Sequence, residues 1–145
     1  MLPLLAGVQS TTTALEAERI RLEVISQNIA NANTTRGPDG KPYQRQEAVF
    51  EAVLNRQIQG SCGYDSGGKG VLASRITKDN KPPRLVYNPG HPDANQQGMV
   101  ALPNISVHEE MVDMIAASRA FEANLAVVKN ARSMALQTLS IGKHS

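Results

Sequence analysis

Ala14-Leu15-Glu16-Ala17-Glu18-Arg19-Ile20-Arg21-Leu22-Glu23 lies at the centre of the first of two long helical stretches, and its reading decides the fold. The segment is rich in strong helix formers, and Glu16 and Glu18 stand three residues before Arg19 and Arg21, a same-face charge spacing. Outward from it, Leu4, Val8, Leu15, Leu22, Ile25, Ile29 and Ala32 recur at heptad-compatible steps, the spacing that lines one helix face for a partner helix. Thr11 and Glu18 are polar intrusions in that seam. At the other end of the chain Met111, Met114, Phe121, Leu125, Val128, Ala135 and Leu139 repeat the pattern, interrupted by Ser118 and Arg132. Met111 and Met114 read as seam packing, since thioethers fill uneven contacts.

These two stretches predict a mainly α chain. Long N- and C-terminal helices form a coiled coil, and a small β-rich insert of short strands lies between them. The boundaries read as 1–35 for the N-terminal helix, 36–103 for the middle module and 104–145 for the C-terminal helix. The first helix is expected over about 4–32, ending in Gln27-Asn28-Ile29-Ala30-Asn31-Ala32-Asn33, because Asn side chains compete for backbone hydrogen bonds. Asn28 and Asn31 share a face there, either as a solvated helix end or as a polar seam that pins a neighbouring chain. The second helix is expected to start at Ser106-Val107-His108-Glu109, which fits a capping box, and to end at Gly142. Some 35 residues at a rise of ~1.5 Å make a rod on the order of 50 Å long. Such a rod needs a partner.

Between the helices, Gly37-Pro38-Asp39-Gly40 is a turn signal, and Tyr43–Phe50, Val71–Thr77, Arg84–Tyr87 and Met99–Leu102 are strand candidates. Glu51 to Ile58 either extends the first strand or forms a short helix. A flexible glycine-rich loop is expected near 59–70. The 145 residues carry a net charge of +2, two Phe, three Tyr and no Trp, which gives no case for nucleic acid or an anionic membrane. Few bulky rings suggest burial in thin helix–helix seams. The lone Cys62 excludes an intramolecular disulfide and a multi-cysteine zinc site. No stretch approaches the ~20 apolar residues of a membrane span. The apolar start, Met1 to Val8, lacks a basic region and is not expected to be a cleaved secretion signal.

Two motifs look chemical and are better read as a mobile loop and a turn. Gly63-Tyr64-Asp65-Ser66-Gly67-Gly68-Lys69-Gly70 nearly matches a phosphate-binding loop, but Gly70 stands where magnesium needs a hydroxyl and no helix follows. His91-Pro92-Asp93 matches a co-chaperone tripeptide without the flanking helices that tripeptide works between. His91, His108 and His144 are scattered, no nucleophile elbow is present, and Glu109 reads as a cap residue. An enzyme, a cofactor or a metal site is therefore not expected.

Ser26-Gln27-Asn28-Ile29-Ala30-Asn31-Ala32-Asn33-Thr34 resembles the shared signature of bacterial flagellar axial proteins of the rod and hook. Pro42 to Gln46, Val86 to Ala94, Gly98 to Ile105, Glu110 to Met114 and Ser118 to Asn124 narrow the resemblance to the proximal-rod branch of that family. The stretch Ile58 to Asn80 carries no family pattern. The resemblance implies a structural rod subunit, self-assembling through its terminal helices into the periplasm-spanning drive shaft of the basal body. It implies passage through the type III export apparatus without a cleaved signal. Neighbours would be further copies, the rod proteins FlgB, FlgF and FlgG, and the adaptor FliE, with no nucleic acid and no direct membrane insertion. The seam residues above, with Asn28 and Asn31, are then the expected subunit interface. Another axial protein such as FlgB is the alternative, against which the Tyr87 to Ala94 stretch and the Pro103-Asn104 junction speak.

Overall fold

The computed structural model describes residues 2–53 and 70–142, with side chains for 7–51 and 75–142. The glycine-rich stretch up to Lys69, and Cys62 within it, lie outside the described residues. Helix α1 spans Leu2–Ala30 and helix α2 spans Val107–Gly142; between them come strands β1 (Gln46–Val53), β2 (Gly70–Lys78), β3 (Arg84–Tyr87) and β4 (Met99–Leu102). The strands form two antiparallel pairs, β1–β2 and β3–β4. A register shift between Val49 and Phe50 puts a bulge into the first pair, which bends and twists it. Glu51 to Val53 extend the first strand, as one of the two readings of that segment had it.

Each helix end has a local cause. The Asn31 N–H and its side-chain amide both donate to the Gln27 carbonyl, at 3.0 and 2.9 Å, and the Thr34 N–H and hydroxyl return to Asn31. After that last i→i−4 bond the ladder tightens, the Ala32 N–H turning to the Ile29 carbonyl at 3.2 Å and the Thr34 N–H to Asn31 at 3.0 Å, and α1 stops. At α2 the first helical bond runs from the Glu110 N–H to the Ser106 carbonyl, 3.0 Å, which makes Ser106 the cap residue. Among the described residues the reciprocal Ser106–Glu109 side-chain bonds of the expected box do not form. Glu109 and Glu110 act on that end through the helix dipole instead.

The helices pack on each other, and α1 also packs on β2 and β1. The C-terminal end of α1 meets the N-terminal end of α2, so the pair runs antiparallel. Its contact face is built from small side chains: Ala17 and Val24 on α1, Ala117 and Ala131 on α2, all at or below 7% exposure. Small residues let two helices approach closely without bulky interdigitation. A second flank of α1 carries Leu15, Leu22, Ile25 and Ile29, buried or half-buried. Ile25 borders the same cavity as Ala48 and Phe50, which places this flank on the β1–β2 hairpin. The remaining side, Gln9, Thr12, Glu16, Arg19 and Glu23, is exposed and polar.

The β3–β4 hairpin packs under the α1–β1 loop. Thr35 donates to Asp93 at 2.7 Å, Arg36 pairs with Asp93 at 3.8 Å, and Pro42 and Ala101 line one cleft. Val100 beneath is 3% exposed. The Asn88–Gly98 connection is tied by the Asn95 side chain, which accepts from the Gln97 and Met99 N–H groups at 2.9 Å. Gly98 sits at φ 73°, and a Cβ there would come within 2.9 Å of Tyr87 and 3.2 Å of Pro89. Gly98→Ala is therefore expected to cost about 1–2 kcal/mol, from left-handed backbone strain and the displaced Tyr87 ring. Gly90→Ala, whose Cβ would meet only Asn88 at 3.8 Å, is the neutral control in the same thermal-unfolding comparison.

Candidate functional site

Where α1, β1 and α2 converge lies a buried polar clamp. Asn28 and Glu110 are each 1% exposed. Asn28 is placed by the last turn of α1, and its amide behaves like a strand residue. Its Nδ2 donates to the Gln46 carbonyl at 2.8 Å while its Oδ1 accepts from the Gln46 N–H at 2.9 Å, so a side chain completes the first rung of β1. Oδ1 also accepts from the Tyr43 hydroxyl, 3.1 Å, and Nδ2 donates to Glu110 Oε2, 3.1 Å. The other carboxylate oxygen of Glu110 accepts from Arg45 Nε at 2.6 Å. Every polar position of the Asn28 amide is used, which makes its burial tolerable.

The clamp's charges are arranged to hold. Burial works against the Arg45 cation, but the Glu110 hydrogen bond and the charges of Glu110, Glu47 and Asp79 outweigh it and hold the guanidinium above its ordinary range. Burial, then the nearby Glu110 carboxylate, pushes the Tyr43 hydroxyl up. Beside the clamp is a half-open cavity of about 300 Å³ lined by Arg21, Val24, Ile25, Ala48, Phe50 and Asp113. Among the described residues no cluster of three or more His, Cys, Asp or Glu could hold a metal. Nothing in this arrangement is a catalytic constellation. It is a joint.

Of the two readings of Asn28, the solvated helix end does not hold: its amide is buried, and the Gln46 peptide, the Tyr43 hydroxyl and Glu110 occupy its donors and acceptors. Asn31 is a local cap. Tyr43, Arg45 and Glu110 lie in stretches that carry the family resemblance, yet sequence reasoning assigned them no role. Their signal was a charged residue on each of two distant segments with no local partner at helical spacing.

The expected interface residues divide into two groups. On α1, Val8, Leu15, Leu22 and Ile29 are half-buried and Ile25 buried, and Ala32 is buried in the turn just past it; only the backbone of Leu4 is described. These are covered largely within the chain. On α2, Met114, Phe121, Val128 and Ala135 are half-buried along the edge of the α1 contact. Met111, Leu125 and Leu139 are exposed, at 50%, 36% and 59%. With about 100° per residue, Met111 and Leu125 share one bare flank with Ile115 and Leu136, while Leu139 falls in line with Phe121 nearer the α1 side. The opposite flank bears Val112, Val127, Met134 and Ile141, all more than half exposed. Among the described residues neither hairpin packs on α2. The 36-residue helix thus carries large apolar side chains on both flanks that the chain leaves uncovered, interspersed with exposed charges such as Arg119, Glu122 and Lys129.

Two outcomes test the clamp. Asn28→Asp sets a carboxylate against Glu110 and the Gln46 carbonyl and is expected to destabilise the chain by about 3 kcal/mol or more. Adding Glu110→Gln, which can donate to the new acid, should return part of that loss in a double-mutant cycle. Tyr43 has a raised folded-state pKa, so its contribution is complete below the ordinary tyrosine pKa of ~10 and is lost as pH rises through the folded value. Tyr43→Phe should cost about 1 kcal/mol at neutral pH and flatten the fall in melting temperature above pH ~10.

The model of the flagella basal body rod protein family matches residues 9–38, and that of the flagellar basal body rod FlgEFG protein C-terminal family matches residues 96–141. The first covers most of α1 with Asn28, the second β4 and nearly all of α2 with Glu110. The chain is 43% identical to the flagellar basal-body rod protein FlgC of Borreliella burgdorferi, with 95% of this chain and 97% of that protein covered. It is 38% identical to FlgC of Bacillus subtilis, covering 92% and 94%, and 34% identical to FlgC of Agrobacterium fabrum, covering 99% and 98%. Two helix-terminal signatures in the right places and end-to-end similarity across such different bacteria leave one conclusion: the chain belongs to the flagellar basal-body rod protein FlgC family.

Proposed function

We infer that this chain is a structural subunit of the bacterial flagellar basal-body rod, and that the bare flanks of α2 are what it offers to its neighbours. The observation that carries this reading is the uncovered apolar surface on α2: Val127 and Met134 at 53%, Leu136 at 58% and Ile141 at 74% exposed. Burying such side chains is worth roughly 1.5–3 kcal/mol each at full burial. A handful per subunit, repeated around a tube, gives a stiff shaft without any covalent link. The family membership favours this reading over FlgB, and over an enzyme or nucleotide switch.

In this reading the joint at Asn28 and Glu110 fixes how the helix pair sits on the middle module, and α2 supplies the contact. Helices from adjacent subunits pair into coiled coils through Met111, Leu125 and Leu139, with Met114, Phe121, Val128 and Ala135 at the seam's edge. Leu4, Val8, Leu15, Leu22, Ile29 and Ala32 join where α1 is covered by the next subunit. The three parts of the chain, near 1–35, 36–103 and 104–145, act as tube wall, surface module and tube wall. Neighbours are other copies, FlgB, FlgF, FlgG and FliE, in a rod that crosses the periplasmic space. Delivery is by the type III export apparatus without a cleaved signal. No described helix is long and apolar enough to cross a membrane, consistent with a shaft that passes between membranes.

Val127→Asp or Met134→Asp should leave helix content and melting temperature within experimental error, since both side chains are exposed in the free chain. Each should abolish swarming when supplied to cells that lack their own copy of the protein. Normal swarming with either variant would contradict the reading.

A further inference from the structure

One flank of α2 has a pattern beyond its apolarity. Met111, Ile115, Glu122, Leu125, Lys129 and Leu136 recur at three-, four- and seven-residue steps, a heptad stripe separate from the one that faces α1. All six are exposed, and Arg132 and Leu139 continue the same steps. The order of chemistry along it is nearly palindromic about Leu125. Two apolar residues lead, half-buried Ser118 and an acid follow, then Leu125, then two bases, then two apolar residues. None of Glu122, Lys129 and Arg132 has an ion-pair partner among the described residues.

We propose that this flank binds the same flank of a second copy, antiparallel, in a closed twofold pair. In that orientation Glu122 of each copy comes opposite the Lys129 and Arg132 turn of the other. Met111 and Ile115 meet Leu136 and Leu139, and the two Leu125 side chains lie near the axis. A parallel in-register pair would set Glu122 on Glu122 and Lys129 on Lys129, like charges facing across a seam. The exposed side of α1 is no alternative occupant, because Gln9, Thr12, Glu16, Arg19 and Glu23 offer no apolar match. The opposite flank of α2, with Val112, Val127, Met134 and Ile141, carries no charge order to select a partner's direction.

A twofold pair is closed, whereas a shaft of subunits that all point one way needs head-to-tail contacts that do not close. Resting on the rod reading, the pair is a reserve form: it shelters the flank before assembly and must open for a subunit to join a rod. Its existence, in contrast, does not depend on that reading.

The full-length chain tests it by sedimentation equilibrium over about 1–100 µM, the range in which a contact worth some 6–8 kcal/mol dissociates. Wild-type protein should reach a dimer and stop there. Glu122→Lys or Lys129→Glu alone should weaken dimerisation tenfold or more, and the double variant E122K/K129E, self-complementary again, should restore it. Circular dichroism of each variant checks that these exposed sites leave the helices intact. In a Cys62→Ser background, nitroxide labels at His108→Cys, exposed and outside the contact, should lie on the order of 50 Å apart, the span of about 34 helical residues. Labels within about 20 Å would mean a parallel pair and overturn the proposal, as would a monomer at every concentration, open-ended oligomers, or single variants that dimerise normally. Swarming reads the rod function separately. A monomeric wild-type chain that supports swarming sinks the pair alone, and a dimer that fails to support it sinks the rod reading alone.

Discussion

A buried side-chain amide sets the geometry on which the remaining structure depends. Asn28 stands where a helix ends, a strand begins and a second helix starts, and it bonds to all three. An unpaired buried amide would cost several kcal/mol, so each partner must be present for the others to be tolerated. Arg45 then balances the carboxylate that the amide touches. The angle between the helix pair and the β1–β2 hairpin is thereby fixed by hydrogen-bond geometry rather than by bulk. Apolar packing supplies most of the stability; the polar joint supplies the direction.

Given that joint, the division of labour between the helices follows. α1 spends one flank on α2 and another on the β1–β2 hairpin, and among the described residues turns no large apolar side chain fully outward. α2 spends one narrow face, lined with alanines and edged by Met114, Phe121 and Val128, and keeps most of its other large apolar side chains on the outside. That is the reverse of a globular helix, which hides its bulk and shows its small or charged residues. It makes sense for a part whose core is completed by its neighbours. A chain that exposed this much apolar surface and remained alone would be an aggregation liability. Burial in a rod, and self-pairing before it, are two answers to one hazard.

Much of this was legible in residues. Arg84–Tyr87 and Met99–Leu102 became strands at the expected bounds, and both long helices are present with their ends displaced by a residue or two. The seams were harder. Bulky Leu, Met and Phe mark a heptad strongly, so the reading followed Met111, Leu125 and Leu139, whereas the intramolecular contact is made by Ala17, Ala117 and Ala131. Alanine is a favoured helix former at any position and so carries little directional signal. The line drawn through Met111 and Met114 straddled two stripes, one turned toward α1 and one bare, because a heptad drifts around a straight helix. Ser118 and Arg132, apparent flaws in a single seam, sit on the outer stripe. The clamp was illegible for a different reason. Asn28, Arg45 and Glu110 are far apart in sequence, and no local periodicity links them.

The central claim is that α2 presents a surface that is open in the free subunit and closed in the finished shaft. Oxidative footprinting of methionines reads this directly. Met134, at 53% exposure, should oxidise readily in the purified chain, and so should Met111, at 50%, once the chain is diluted below about 1 µM, with half-buried Met114 slower as an internal reference. In isolated basal bodies Met111 and Met134 should be protected at least tenfold. Equal oxidation of the two in the free and assembled states would contradict the account.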